Sequence, residues 1–94
     1  MDIDRSDIVL SIAGRDRGAL FYVMDVEDGY VLLADGKGRR LEKPKRKKLK
    51  HVQRITRASS RVAEKIRSGE KVLNSELRRD LAAFSQTFSQ NQGG

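Results

Sequence analysis

Between residues 8 and 41 the apolar residues come only in short runs, the longest being ALFYVM, cut by GRDRG, EDG and ADGKG. A surface helix needs an apolar stripe sustained at 3.6-residue spacing, whereas runs this short between glycine-bearing turns leave room only for strands of a few residues. The segment predicts a meander of strands near residues 9–13, 20–26, 30–34 and 39–42. Asp28-Gly29 and Asp35-Gly36 suit tight hairpin connections, because glycine accepts the positive φ such turns demand. Within LFYVMDV and YVLLA the apolar positions do not alternate cleanly. Both faces of these strands therefore need apolar contacts, and something must cover the second face.

The C-terminal part supplies a cover. Val62 and Ile66 fall four apart, and Leu73, Leu77, Leu81, Phe84 and Phe88 follow at helical spacing. Two helices are expected, the first capped by Ser59 or Ser60 and ended by Gly69, the second capped by Asn74 or Ser75. The closing SQNQGG has nothing to bury and predicts a frayed tail. The expected organisation is a bent antiparallel sheet with its basic segment over residues 6–55, a helical part packing on it over 58–88, and a disordered tail over 89–94. The fold class is mainly β with C-terminal helices.

Charge divides the chain. The first 36 residues hold three basic and eight acidic side chains, and the rest hold seventeen and five. Between residues 37 and 54 there are ten Lys or Arg and a single acid, Glu42, and residues 43–51 read KPKRKKLKH. Like charges this dense repel one another, so an anionic partner is the expected counterweight, each neutralised phosphate releasing counterions. A solvated charged loop or a nuclear-localisation pattern are the plainer readings of PKRKK. RNA is favoured over duplex DNA, since no recognition-helix or zinc-finger signature is present. The candidate contacts are Lys37, Arg39, Arg40, Lys43, Lys45, Arg46, Lys47, Lys48, Lys50, His51 and Arg54. Arg15 and Arg17 of GRDRG add a second contact point, or else pair locally with Asp16. Phe21, Tyr22 and Tyr30 are read first as core and second as surfaces on which bases stack.

Enzymatic chemistry finds no constellation. The only histidine, His51, sits among lysines with no acid–base partner beside it, and the glycines match neither the P-loop nor the dinucleotide fingerprint. Asp2, Asp4 and Asp7 lie near a chain end that cannot preorganise a metal site. No catalytic residue, metal or cofactor is expected. With 94 residues, one small domain is the expectation, without a large enclosed active site. There is no cysteine, hence no disulfide framework. An acidic start and no long apolar run predict a cytoplasmic protein, with no membrane partner and monomeric when free.

Taken together, SIAGRDRGALFYVMDVEDGYVLLADGKGRRLEKPKRKKLKHVQ resembles a KOW domain, of the kind found in the fourteen-e family of large-subunit ribosomal proteins and their bacterial KOW-containing relatives. The marks are Gly14 to Gly18 in the first turn, the strands that follow, the ADGKGRR turn and the basic run. The resemblance implies an SH3-like barrel and attachment to structured, ribosomal RNA, with Arg15 and Arg17 in the first loop and Lys37, Arg39 and Arg40 in the turn before the basic run. It implies a non-enzymatic, ribosome-associated protein of translation. The alternative is a KOW interaction module whose barrel binds a protein partner in transcription or translation complexes.

Overall fold

The computed structural model describes residues 3–92. Five strands, β1 (Asp7–Ser11), β2 (Leu20–Glu27), β3 (Tyr30–Ala34), β4 (Lys45–Lys48) and β5 (Val52–Arg57), precede two helices, α1 (Arg61–Ser68) and α2 (Asn74–Gln92). The strands form one antiparallel sheet in the order β4-β3-β2-β1-β5. β2 and β3 are joined at Asp28-Gly29, where Glu27 pairs with Tyr30 and Gly29 takes φ 75°.

The uneven apolar pattern has two causes. Side chains alternate across a strand, and here both faces are buried. Ile8, Tyr22 and Ala34 pack under Val62, Ala63 and Ile66 of α1 and Leu77 and Leu81 of α2. Their neighbours Val9, Phe21, Val23 and Leu33 point the other way and join Ile3, Val31 and Val52 in a second cluster. In addition, the pairing of β2 with β3 shifts register between Val23 and Asp25, so the alternation changes phase within the strand.

Among the described residues no further layer covers the second cluster; the sheet covers it by curling. β4 and β5 are its two edges, yet only the 3-10 turn Leu49–His51 separates them in the chain. Were the sheet flat, its edges would stand ~19 Å apart at about 4.8 Å per strand step. From Lys48 to Val52 the chain spans at most ~14 Å. The sheet must bend until its edges approach, although no ladder joins β4 to β5.

The expected fourth strand at residues 39–42 is not a strand. One carboxylate oxygen of Asp35 accepts the backbone N–H groups of Lys37 and Arg39 at 2.9 and 2.8 Å, and Asn74 Oδ1 accepts that of Leu41 at 2.8 Å. Side chains take the donors that a ladder would need. The fourth and fifth strands lie instead in the segment expected as a basic loop, and β5 continues to Arg57, beyond the expected boundary at 55.

The helix ends follow their residues, with one exception. Ser60 Oγ accepts the Ala63 N–H at 3.1 Å, and Gly69, at φ 78°, closes α1 through bonds from its N–H to Ile66 and Lys65 carbonyls. Neither Asn74 nor Ser75 caps α2: Asn74 is committed to Leu41 and Glu42, and Glu76 reaches back to the Leu73 N–H at 3.0 Å. Leu73 itself is exposed. Helical backbone continues to Gln92, through most of the expected tail; residues 93 and 94 lie outside the described residues.

Candidate nucleic-acid interface

β4 is made entirely of cations, and its pleat sorts them. Lys45 and Lys47 pair with Leu33 and Val31, whose side chains face the second cluster, while Arg46 and Lys48 lie opposite Leu32 and Tyr30 on the other face. The inward pair meets Asp16. Lys45 Nζ lies 2.8 Å from Oδ2, Lys47 Nζ lies 2.8 Å from Oδ1, and Ser11 donates its hydroxyl to Oδ1 at 2.7 Å. Lys47 also donates to the Ala13 carbonyl at 2.7 Å, and its side chain is 8% exposed. Burial alone would raise the Asp16 carboxyl; hydrogen bonds from Lys45, Lys47 and Ser11 outweigh it and hold the group well below its ordinary value. Lys47 was expected at the RNA contact and is instead part of the interior, because its charge is met there. Lys45 is partly exposed but shares that carboxylate.

This clamp fixes the loop over residues 12–19. Gly14, at φ 88°, passes so close that a Cβ there would lie 3.3 Å from Lys47 Nζ. Since Asp16 is taken by the lysines, the local Asp–Arg pairing does not form. Arg15 and Arg17 are exposed on either side of it with no acidic partner among the described residues.

On the outer face of β4 the Arg46 guanidinium lies 3.7 Å over the centre of the Tyr30 ring and 3.3 Å from Glu27 Oε1. Lys48 beside it is exposed. Phe21 and Tyr22 are core residues and offer no face for stacking. The Tyr22 hydroxyl donates to Asp80, which also accepts from Ser60 Oγ at 3.0 Å. Burial, reinforced by the Asp80 bond, pushes this phenol well above its usual range, so it serves as a neutral tie between β2 and both helices.

Of the other expected contacts, Lys37, Arg39, Lys43 and Lys50 are exposed without an acidic partner among the described residues. Arg40 lies 3.3 Å from Glu42, both well exposed. The Asn74 amide, followed by Arg40, lowers the Glu42 carboxyl. Arg54 is exposed on β5 and engaged within the fold, and His51 is half-buried, its carbonyl accepting the Ile12 N–H at 3.0 Å.

Two cations that the basic run does not contain belong with this set. Arg78 and Arg79 of α2 line one groove together with Gly18, which follows Arg17, and Lys37. Arg78 and Arg79 stand between the buried Leu77 and Leu81, on the flank of the apolar stripe, and that place is the signal the sequence offers for them. No protein-family model matches this chain, and no curated protein matches it. Among the described residues no helix is long and apolar enough to cross a membrane.

Proposed function

We propose that this protein binds structured RNA, without enzymatic chemistry, as a KOW-type SH3-like barrel associated with the ribosome. One observation carries the reading: the Asp16 clamp attaches Arg15 and Arg17 to the strand that begins just after Lys43, so cations far apart in sequence are held together without an acidic partner among the described residues. Phosphate contacts at fixed spacing select a shaped RNA, whereas a flexible basic peptide meets any polyanion. The curl of the sheet, bridged at its edges by one helical turn, supports the barrel.

The test compares the full chain with a peptide of residues 37–54. The protein should prefer structured ribosomal RNA to a random single strand of equal length at near-physiological salt, and the peptide should not. Arg15→Gln with Arg17→Gln should flatten the plot of log K against log salt by roughly 1.4–1.8, at 0.7–0.9 per lost phosphate contact. Equal discrimination by protein and peptide, or an unchanged slope, would favour the protein-docking alternative. In a sucrose gradient of lysate the protein should travel with ribosomal fractions; recovery only at the top would sink the ribosomal part.

A further inference from the structure

The groove beside α2 has a composition that plain phosphate contact does not need. It is an open groove offering about 750 Å³, within the roughly 300–1,000 Å³ of small-ligand sites. Lys37, Arg78 and Arg79 line it, and Leu20, Leu81 and Ala82 give it an apolar floor. None of the three cations has an acidic partner among the described residues. Asp35, the acid beside them, spends Oδ1 on the N–H groups of its own turn, and Asp80 is held by Tyr22 and Ser60.

The walls are fixed relative to one another. Gly36, at φ 78°, lies so near α2 that a Cβ there would stand 2.2 Å from the Asn74 carbonyl oxygen and 3.0 Å from the Arg78 nitrogen. Asn74 in turn accepts from Leu41 and donates to Glu42. The turn bearing Lys37 and the helix bearing Arg78 therefore meet backbone to backbone, which preorganises the cations.

We infer that this groove seats an unpaired nucleotide of the bound RNA, its phosphates on Lys37, Arg78 and Arg79 and its base against Leu20, Leu81 and Ala82. The inference rests on the RNA-binding reading above. Continuous duplex exposes phosphate and sugar but keeps its base faces stacked, so it can use the cations and not the floor. An unpaired nucleotide carries an anion and an apolar face together, and single-stranded loops are where proteins read splayed bases. An acidic protein segment would match the charge but presents a flat apolar group only where an aromatic residue stands beside the acid, whereas every nucleotide carries both.

The experiment uses the full chain and three RNAs: a hairpin with an unpaired loop, the same hairpin with an abasic loop, and a continuous duplex. Wild type should prefer the base-bearing loop to both others by about tenfold, the scale of one seated base. Ala82→Trp fills the groove from an exposed position, and should abolish that preference by bringing the base-bearing loop down to the affinity of the abasic one. Arg78→Gln with Arg79→Gln should weaken loop binding by about tenfold and lower the salt slope by roughly 1–2. A loop carrying 4-thiouridine should crosslink to peptides containing residues 20 or 81–82, a readout that holds even if a variant folds poorly. Equal binding of base-bearing and abasic loops, crosslinks confined elsewhere, or competition by an acidic peptide as strong as by the loop would overturn the inference while leaving RNA binding in place. Failure of wild type to bind any of the three RNAs removes the RNA-binding reading, and this one with it.

Discussion

Lys47 and Lys48 are neighbours in the chain and opposites in the fold. The first is buried, its ammonium held by Asp16 and the Ala13 carbonyl; the second is exposed with no acidic partner among the described residues. One step along a pleated strand separates a charge that holds the molecule together from a charge available to a ligand. A basic run cannot therefore be scored by counting its cations. Lys45 and Lys47 give the surface its shape, and Arg15, Arg17, Lys43, Lys48 and Lys50 are what that shape presents.

Removing the acid is the strongest way to break this contrast. Asp16→Ala leaves the buried Lys47 without its counter-charge, and breaking such a pair costs about 3–5 kcal/mol. Lys48→Ala or Lys50→Ala should change stability by less than about 0.5 kcal/mol. Thermal melts of the three variants check this, since each kcal/mol shifts the midpoint of so small a domain by roughly 4–8 °C. Similar losses for Asp16→Ala and Lys48→Ala would erase the distinction. pH sharpens it. Because the Asp16 carboxyl is depressed in the folded state, its contribution is fully present above the ordinary value of 3.8 and is lost as pH falls through the lower folded value. The gap in unfolding free energy between wild type and Asp16→Asn should thus hold steady from pH 7 to 5 and narrow as pH drops toward 2.

A second contrast lies within one turn. Gly36 and Gly38 both belong to ADGKGRR, but only Gly36 has positive φ and faces α2 backbone; a Cβ on Gly38 would meet nothing nearer than an Asp35 carboxylate oxygen at 4.0 Å. Gly36→Ala should cost about 2–4 kcal/mol, from backbone strain and overpacking together. Gly38→Ala should stay within about 1 kcal/mol of wild type by chemical denaturation. Equal effects would mean that the turn does not rest on the helix.

The contrast also explains what could be read from the sequence. β2, β3 and both helices were legible because apolar spacing and glycine punctuation report burial directly, and Leu77 and Leu81 are indeed buried. β4 was not legible. Its alternation is as regular as any strand's, yet with a cation at all four positions the inward and outward sets look alike. What makes Lys47 an interior residue is Asp16, thirty-one positions away, and no local pattern encodes that partner. The strand expected at residues 39–42 failed for a related reason, since Asp35 and Asn74 claim its backbone donors. In the candidate interface the basic run marks the exposed lysines, while Arg78 and Arg79 join them through a contact that no local pattern encodes, that of α2 with the Lys37 turn.

Arg46 is the intermediate case and carries the smallest expected effect. It faces outward like Lys48, but its guanidinium stacks on Tyr30 and lies 3.3 Å from Glu27, with the arginine side chain 57% exposed. An exposed ion pair of this kind contributes about 0.2–1 kcal/mol, and a cation over an exposed ring about 0.5–1. Arg46→Lys keeps the charge and gives up the planar stack. If Arg46 serves RNA as a charge, this variant should leave the salt slope unchanged and cost less than about 1 kcal/mol of stability. Arg46→Ala should lower the slope by roughly 0.7–0.9, the value of one contact. A slope that falls equally in both variants would show that the guanidinium plane, and not its charge, meets the RNA. A slope that falls in neither would place Arg46 with Lys45 and Lys47, as a cation whose partner is the protein itself.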